Sequence, residues 1–422
     1  MYRMCRRIRN REKKERLSMK RELELYIHIP FCMKKCAYCD FLSGPAPRET
    51  IDRYVTALVA EIRQYQKLAE NYRVTTIFFG GGTPSILSGG RMKEIFDALR
   101  DVFEIQADAE ITMEANPGTV TKENLQAYRA CGINRISFGL QSVDDKELKL
   151  LGRVHTMRQF EESYDLARKA GFQNINIDLI SAIPGQTVES WEHTLDTVIR
   201  MNPEHISAYS LIIEEGTLFY VIYGENAKEE RDNQCEKCLA DDGKQMDTGK
   251  NFPKLPDEEA ERRMYELTAE KLEAAGYLQY EVSNYAKPGY ACRHNKGYWQ
   301  RVEYLGIGTG AASLIENERY QHISDTDLYI RANGRLDQIE EEKETLDWNA
   351  QVEETMFLGL RMKEGVNKQK FRERYHREIQ EVYGEVLEKL KEEGLLREEE
   401  ERICLTKRGN DLSNYVLAQF LL

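Results

Sequence analysis

The sequence lacks long hydrophobic runs, a signal peptide and an excess of positive charge. None of the apolar runs in its 422 residues approaches 18 residues, so no membrane-spanning helix is predicted. The first residues lack the apolar core of a signal peptide. Lysine and arginine number 60 against 72 aspartates and glutamates, a net charge of −12, which argues against nucleic-acid binding. The nine cysteines are odd in number and unevenly spaced, which favours a reducing cytoplasmic location over a disulfide framework.

Three of the cysteines, Cys32, Cys36 and Cys39, follow a short apolar run in a C-x3-C-x2-C spacing. Thiolates this close together can hold one corner of an iron–sulfur cluster, which usually takes four cysteines. With only three, one iron stays open to a small molecule, much as a catalytic zinc keeps one position free. A structural zinc site with His28 as a further ligand is the alternative, although such sites usually carry two C-x2-C pairs or a Cys2His2 set.

Strand-like and helix-like stretches alternate six times after the first 22 residues. The strands are predicted at 23–29, 75–79, 110–114, 135–139, 174–180 and 205–211. The helices between them are predicted at 49–70, 90–102, 121–130, 157–170 and 188–201. This alternation predicts a parallel α/β sheet or barrel, whose chemistry lies at the carboxyl ends of the strands. A helix at 257–275 and a strand at 280–285 follow.

Two segments break this pattern. Residues 1–22 are strongly basic and are either a polyanion-binding arm or a disordered tail that precedes a true start at Met19. Residues 224–256 are polar and are predicted to be a mobile insertion. Its Cys235 and Cys238 could hold a metal, but no second pair is nearby, so exposed thiols are the expectation.

The chain is therefore predicted to have five parts. From about residue 345 the order of helix, helix, hairpin and helix is that of a winged helix, and its slightly acidic charge favours a cap on the barrel over DNA binding. The parts are a basic tail (1–22), a barrel core (23–223), the polar insertion (224–256), a barrel extension (257–344) and a helical cap (345–422).

A glycine-rich turn, Gly80-Gly81-Gly82-Thr83-Pro84, follows the second predicted strand. Glycines let backbone N–H groups approach a ligand closely, but this run is neither G-x-G-x-x-G nor a P-loop. Together with the three cysteines it resembles the radical S-adenosylmethionine (SAM) enzymes. In that family SAM binds the open iron of a [4Fe–4S] cluster, and one electron from the cluster cleaves SAM to a 5′-deoxyadenosyl radical.

Further stretches resemble a narrower group, that of coproporphyrinogen III dehydrogenase (HemN) and HemW. They lie at 26–32, 79–85, 138–142, 151–155 and 176–180. The resemblance implies a partial (β/α)6 TIM-like radical SAM barrel with an α+β extension and a winged-helix-like C-terminal domain. It also implies that Cys32, Cys36 and Cys39 hold the cluster. The residues implied to line the SAM site are Tyr26, Gly82, Thr83, Glu114, Gln141, Arg153 and Asp178. Their chemistry is suitable, because an arginine can pair with the SAM carboxylate and a carboxylate can accept from ribose hydroxyls or balance the sulfonium.

Two features separate the branches of this group. The dehydrogenases resemble C-x3-C-x2-C-x-C, whereas Phe41 stands at the place of the fourth cysteine here. The run His294-Asn295-Lys296-Gly297-Tyr298-Trp299 resembles the H-N-x-x-Y-W haem-binding motif of HemW-type haem chaperones. The resemblance implies an imidazole ligand for haem iron and two flat aromatic faces, with Cys292 as a softer second ligand. Without the resemblance, a hydrogen-bonded structural histidine is the expectation.

The sequence thus predicts a haem chaperone that binds haem and a SAM-ligated [4Fe–4S] cluster and transfers haem to an apo-protein, for example one of respiration. The alternative is oxygen-independent oxidative decarboxylation of coproporphyrinogen III to protoporphyrinogen IX, which the phenylalanine at position 41 disfavours. Radical haem degradation or methylation is a third hypothesis. A low-potential electron donor such as flavodoxin or ferredoxin and a peripheral membrane contact are further expectations.

Overall fold

Six parallel strands form the centre of the fold. The computed structural model of the chain describes residues 20–224 and 252–422, so most of the basic tail and of the insertion, with Cys5, Cys235 and Cys238, lies outside the described residues. The strands are neighbours in sequence order, as the rhythm of the chain predicts. They are β1 (Arg21–Ile29), β2 (Tyr72–Gly81), β3 (Ile105–Ala115), β4 (Arg135–Gln141), β5 (Asn174–Ser181) and β6 (His205–Ser210).

Helices follow the strands, and most of them cover the outer face of this sheet, whereas the last packs beside the cysteine loop. They are α1 (Arg48–Ile62), α2 (Gln66–Ala69), α3 (Gly89–Val102), α4 (Lys122–Cys131), α5 (Asp145–Leu150), α6 (Met157–Lys169), α7 (Val188–Met201) and α8 (Leu218–Tyr223). Threonine side chains cap α4, α6 and α7 by accepting from backbone N–H groups of the first turn. The single helix predicted at 49–70 is wrong, because a 3-10 turn at Arg63–Tyr65 separates α1 from α2. None of the described helices is long and apolar enough to cross a membrane.

Alternation along the strands separates the core from the site. Leu23, Leu25 and Ile27 are fully buried in the hydrophobic core between sheet and helices. Because successive side chains of a strand point to opposite faces, Glu24 and Tyr26 lie on the inner, concave face. Polar side chains from the other parallel strands share that face, which makes the interior of the barrel polar.

The extension lengthens the sheet at both ends. It comprises α9 (Glu258–Ala274), β7 (Leu278–Gln279), β8 (Asn284–Ala286), α10 (Arg293–Trp299), β9 (Tyr304–Ile307), β10 (Ala312–Ile315), β11 (Glu318–His322), α11 (Thr326–Ala332) and β12 (Glu340–Thr345). The full order is β12-β11-β10-β9-β1-β2-β3-β4-β5-β6-β8-β7, so within the described residues the sheet stays open, with β12 and β7 as its edges. β9 is parallel to β1, and the added strands beyond it are antiparallel. The strand predicted at 280–285 is wrong, because these residues turn from β7 into β8, where Tyr280 N donates to Asn284 O at 3.1 Å.

The C-terminal part has three helices, a hairpin and two short helices, which is one helix more on each side of the hairpin than the predicted order of helix, helix, hairpin and helix. It comprises α12 (Trp348–Gly359), β13 (Val366–Asn367), α13 (Lys368–Tyr375), α14 (Ile379–Glu392), β14 (Leu396–Glu398), β15 (Arg402–Leu405), α15 (Lys407–Asp411) and α16 (Ser413–Ala418). Its three strands form a small antiparallel sheet in the order β13-β15-β14. A separate hydrophobic cluster fills it, and Arg301 and Glu354, joined by an ion pair of 2.8 Å, fasten α12 to the barrel extension.

Candidate functional site

The cysteine loop after β1 is closed by backbone hydrogen bonds. Cys32 N donates to Gly44 O at 2.9 Å, and Gly44 N donates to Pro30 O at 3.1 Å. Inside the loop, Ala37 N donates to Leu151 O at 3.0 Å, which ties it to the residue that follows α5. All three cysteines are free and half-buried. The thiols are thus held near the surface by an ordered backbone.

A chain of polar side chains connects two of the thiols. Thr83 Oγ1 donates to Cys32 Sγ at 3.4 Å and accepts from Asn116 Nδ2 at 2.7 Å. Arg153 Nη2 donates to Asn116 Oδ1 at 2.6 Å, and its Nη1 donates to Cys36 Sγ at 3.5 Å. The third thiol, Cys39, lies near Lys35, but burial raises the pKa of Cys39 above its ordinary value. Positive charge and hydrogen-bond donors therefore surround sulfur atoms that a metal cluster would need as thiolates.

The glycine turn after β2 needs its glycines for space. Gly81 has a φ of +102°, and a Cβ there would lie 2.3 Å from the ring of His28. A Cβ on Gly82 would lie 2.6 Å from Phe31 O. The turn also bonds to the cysteine loop, since Thr83 N donates to Phe31 O at 2.7 Å. The glycines were predicted to let the backbone approach a ligand closely. In the structure they let it approach the start of the cysteine loop.

Two carboxylates face each other across the strand ends. Glu114 lies near the end of β3, and burial together with the neighbouring Asp178 raises the pKa of Glu114 to about 8. Asp178, on β5, accepts hydrogen bonds from Asn176 Nδ2 at 2.7 Å and Ser137 Oγ at 3.0 Å. Burial raises the pKa of Asp178 as well. Two neighbouring, half-buried carboxyls of this kind would be stabilised by a cationic ligand.

The remaining predicted site residues border the same space. Gln141 ends β4 with a φ of +74°, a conformation that costs a non-glycine residue energy and is often kept at functional sites. A Cβ on Gly139 would lie 2.9 Å from Gln141 Nε2 and 3.2 Å from Arg153 Nη2. A Cβ on Gly80 would lie 3.1 Å from the ring of Tyr26 and 3.2 Å from Glu114 Oε2. The structure therefore brings together the seven residues that the resemblance assigns to the SAM site.

Helix α10 carries the H-N-x-x-Y-W residues into the barrel interior. His294 is buried, with Nδ1 2.7 Å from Thr76 Oγ1 and Nε2 3.1 Å from Tyr298 OH. Its ring stacks on Phe78 at 5.1 Å. Burial, with a contribution from the Arg135 guanidinium, lowers the pKa of His294 to about 3. The imidazole is neutral, and both nitrogens are engaged inside the protein.

The other residues of the motif lie on different sides of α10. Asn295 and Trp299 are half-buried, and the Arg361 guanidinium lies 5.6 Å from the centre of the Trp299 ring. Cys292 is fully buried, and its thiol donates to Glu110 Oε1 at 3.3 Å. The role of Cys292 as a softer haem ligand therefore has no support in this arrangement. His28, the alternative zinc ligand, is likewise engaged at both nitrogens, by Tyr26 OH and Leu42 O.

Buried carboxylates anchor α10 in the barrel. Glu110 of β3 accepts from the backbone N–H groups of Arg293 and His294, the first residues of the helix, at 3.0 and 3.2 Å. Glu24 of β1 lies against Gly297, where a Cβ would be 1.9 Å from Glu24 Oε1. Burial, and then the nearby Glu110, raises the pKa of Glu24 to about 9, so this side chain is protonated at neutral pH.

Sequence reasoning missed two residues of the site, Asn116 and Tyr38. Asn116 bridges Thr83 and Arg153, and its only signal is a position one residue after β3. Tyr38 was missed too, although its hydroxyl interacts with the Arg153 guanidinium and lies between two cysteines in sequence. In the described ranges, no three His, Cys, Asp or Glu side chains converge as the ligands of a single metal ion would.

A [4Fe–4S] cluster and SAM suit the residues present. The donor set consists of three half-buried thiols beside an arginine, and the adjoining space holds two carboxylates and a positive-φ glutamine. Soft thiolates are the usual ligands of iron–sulfur clusters, whereas an amino acid with a sulfonium needs both an arginine and carboxylates around it. The carboxyl ends of β1 to β5 supply these groups together.

Comparison with known proteins agrees with this geometry. The sequence profile of the radical SAM superfamily matches residues 26–198, and that of the HemN C-terminal domain matches residues 346–412. The heme chaperone HemW of Bacillus subtilis (strain 168) is 36% identical over 397 residues, which cover 94% of this chain and 98% of that protein. The heme chaperone HemW of Escherichia coli (strain K12) is 42% identical over 297 residues, 69% of this chain and 70% of that protein.

A solved structure shows the same fold. Coproporphyrinogen III oxidase (HemN) from Escherichia coli, a radical SAM enzyme, superposes with a TM-score of 0.78 at 23% identity, covering 95% of this chain and 90% of that one. The α/β radical SAM fold with a small C-terminal antiparallel sheet is thereby confirmed, and membership of the superfamily implies a [4Fe–4S] cluster and SAM. From its fold, its strand-end site and its similarity to curated relatives over nearly its whole length, this chain belongs to the HemW family of radical SAM proteins.

Proposed function

We propose that this chain is a haem chaperone, which binds haem and a SAM-ligated [4Fe–4S] cluster and passes the haem to an acceptor protein. The observation that carries the proposal is the position of α10. The ring of Phe78 stacks on His294 at 5.1 Å and on Tyr26 at 6.3 Å, so one ring separates the H-N-x-x-Y-W helix from the strand ends proposed to bind SAM. The names of the curated relatives support the same function.

In this proposal Cys32, Cys36 and Cys39 hold the cluster. The cluster and SAM supply one-electron chemistry when bound. Arg153 fits the SAM carboxylate, because a guanidinium offers paired donors in one plane. Glu114 and Asp178 fit its cationic and hydroxyl groups, since a nearby positive charge would favour ionisation of two carboxyls whose pKa values are raised by burial. Gly82, Thr83, Gln141 and Tyr26 complete the lining.

Haem ligation by His294 requires a local change. Nε2 of this imidazole is engaged by Tyr298 OH at 3.1 Å, so the hydroxyl must move away before iron can bind. The neutral imidazole is otherwise suitable, because a metal ligand must be unprotonated and burial keeps it so. A side chain locked in this way would bind haem only when Tyr298 has turned aside, which suits a carrier that must also release its cargo.

The test is a haem titration of the full chain with its cluster reconstituted under anaerobic conditions. Wild type is expected to develop a Soret band at one haem per chain, and His294→Ala is expected to weaken binding at least tenfold. Tyr298→Phe, which frees Nε2 without changing the ring, is expected to bind haem faster. His193→Ala, at an exposed histidine on α7, is the control and should behave as wild type. Absence of a Soret change in wild type refutes the proposal.

A second candidate is the oxidative decarboxylation of coproporphyrinogen III, favoured by the apparatus retained at the strand ends. Phe41, with 60% of its surface exposed, stands where the dehydrogenase branch has a fourth cysteine. The reconstituted chain, given reductant, SAM and coproporphyrinogen III, is expected to form no protoporphyrinogen IX. Stoichiometric formation of that product would replace the chaperone proposal. A haem-free acceptor protein and a low-potential electron donor are the partners that the proposed function requires.

A further inference from the structure

A cavity of about 480 Å³ lies between α10, strands β9 to β11 and α12. Three tyrosine rings and two leucines give it a largely apolar wall, and two arginines and one glutamate lie at its side. Its lining residues are Tyr26, Tyr298, Arg301, Tyr304, Ala312, Leu314, Arg319, Glu354 and Leu358. Flat aromatic walls with a few charged groups suit a planar, largely apolar ligand that carries an acidic group.

Arg301 occupies a position where glycine is the usual residue. It follows α10 with a φ of +55°, and the backbone bonds from Arg301 N to Tyr298 O and from Val302 N to Gly297 O end the helix in a Schellman motif. The left-handed position of such a motif strains a residue with a side chain. The arginine at this strained position has its guanidinium in the wall of the cavity. This indicates that the guanidinium has a functional role.

The guanidinium of Arg301 is buried and only partly satisfied. Nε donates to Glu354 Oε2 at 2.8 Å and Nη1 donates to Asn317 Oδ1 at 3.1 Å. Nη2 is buried without a hydrogen-bond partner among the described residues, and Arg301 as a whole is 6% exposed. Glu354 also accepts from Arg319, so two guanidinium groups share one carboxylate. Buried N–H groups are normally paired, so Nη2 of Arg301 is a donor that a ligand in the cavity could use.

Tyr298 connects this cavity to His294. Its hydroxyl holds His294 Nε2 at 3.1 Å, while its ring meets the ring of Tyr304 edge-on at 4.7 Å. Tyr298 therefore stands between the imidazole and the cavity. A second cavity of about 490 Å³ lies beyond Trp299, but Tyr298 does not line it, and its Arg374 and Arg402 already donate to backbone oxygens.

We propose that the cavity beside Tyr298 is the haem-binding site, and that Arg301 and Arg319 bind a propionate carboxylate of the haem there. The inference rests on the proposed function, and it adds the location of the macrocycle and the residues that recognise its acidic edge. The tyrosine rings would contact the macrocycle, and a propionate would supply the acceptor that Nη2 of Arg301 lacks. Movement of Tyr298 would then bring the iron within reach of His294.

The test compares ferric haem with its dimethyl ester, in which both propionates are masked. Arg301→Gly is the informative variant, because glycine suits the left-handed backbone at this position, and Glu354 keeps its ion pair with Arg319 when the ion pair with Arg301 is lost. In the reconstituted full chain, Arg301→Gly is expected to weaken haem binding at least tenfold and to leave the Soret maximum unchanged. Wild type should bind the dimethyl ester about as weakly as Arg301→Gly binds unmodified haem. Arg374→Ala, in the cavity beyond Trp299, is the matched control and should bind haem normally.

Failure of this inference differs from failure of the proposed function. If wild type binds haem and both Arg301→Gly and Arg319→Gln bind it equally tightly, the haem does not sit in this cavity, although the chain is still a haem binder. Weakened binding in Arg374→Ala alone would assign the haem to the other cavity and overturn the inference. If wild type binds no haem, both are overturned. Should Arg301→Gly fail to fold, Arg319→Gln decides, since it removes the other cation of the pair at a side chain that is far more exposed than Arg301.

Discussion

The contact between Gly297 and Glu24 gives a sharp prediction about the interior of the barrel. A Cβ on Gly297 would lie 1.9 Å from Oε1 and 2.2 Å from Cδ of Glu24. Glu24 has no room to move away, because it is 3% exposed and its side chain, on β1, faces α10. Gly297→Ala should therefore push α10 away from the strands that hold it.

The expected size of the effect follows from two opposing terms. Overpacking a buried site costs about 1–3 kcal/mol, and a contact this short belongs at the upper end. Alanine stabilises a helix by up to about 1 kcal/mol relative to glycine, which offsets part of this cost. The net loss of stability should be about 2 kcal/mol. Gly384→Ala in α14 is the matched control, since a Cβ there meets nothing within 4 Å, and that variant should be as stable as wild type or more so.

Urea unfolding followed by far-ultraviolet circular dichroism measures both variants. The midpoint of Gly297→Ala should fall, and the double variant Gly297→Ala with Glu24→Ala should recover much of the loss, because the obstructing carboxyl is gone. Recovery of this kind identifies a direct contact through its non-additivity. A Gly297→Ala chain as stable as Gly384→Ala, or a double variant that is no better than the single one, would show that α10 does not pack on β1 as described.

Three further predictions concern the site and its electrostatics. Glu24 has a pKa raised by burial to about 9 from an ordinary value of 4.5, so its contribution to stability is complete below about pH 4.5 and is lost as the pH rises through about 9. Glu24→Gln should remove this part of the pH dependence of the urea midpoint, and a slope identical to that of wild type would contradict it. Cys36→Ala should bind less iron per chain after anaerobic reconstitution, while Cys404→Ala, at a buried cysteine of β15, should keep the wild-type content; equal iron in both variants would argue against the cluster site. Arg153→Lys should lower the affinity of the reconstituted chain for SAM by about tenfold to a hundredfold, because one ammonium cannot replace the charged, paired donors of a guanidinium. Calorimetric titration would detect this loss, and an unchanged dissociation constant would exclude Arg153 from the site.

The parallel core of the fold could be predicted because its signals are local. The sixth predicted strand, 205–211, exceeds β6 by one residue, and the predicted helix at 188–201 coincides with α7. Strands β2 and β5 are rich in β-branched residues, and threonine caps or glycines mark several helix ends. The predicted start of β3 at residue 110 is five residues late, since the first five residues of the strand mix polar and small apolar side chains and four of them are at least partly exposed.

The interior could not be predicted, because it depends on contacts between distant parts of the chain. Nothing near His294 in sequence indicates that Thr76, 218 residues away, will occupy one of its nitrogens. Glu110 caps α10 by accepting from the backbone N–H of Arg293, which lies 183 residues further along the chain. Asn116 likewise gains its role only when β3 and the loop after α5 meet. Motif resemblance assigned the residues of the site, whereas their protonation and hydrogen bonding needed the three-dimensional arrangement.

The open sheet described above has a consequence for contacts between copies of the chain. A sheet with unpaired edges can recruit strands from other molecules and aggregate. Here β12 carries four glutamates among its six residues, so a second copy pairing with it would bring like charges side by side. At the opposite edge, β7 is only two residues long and offers little backbone to pair with. Within the described residues, neither edge of the sheet is thus a ready template for strand pairing with a second copy.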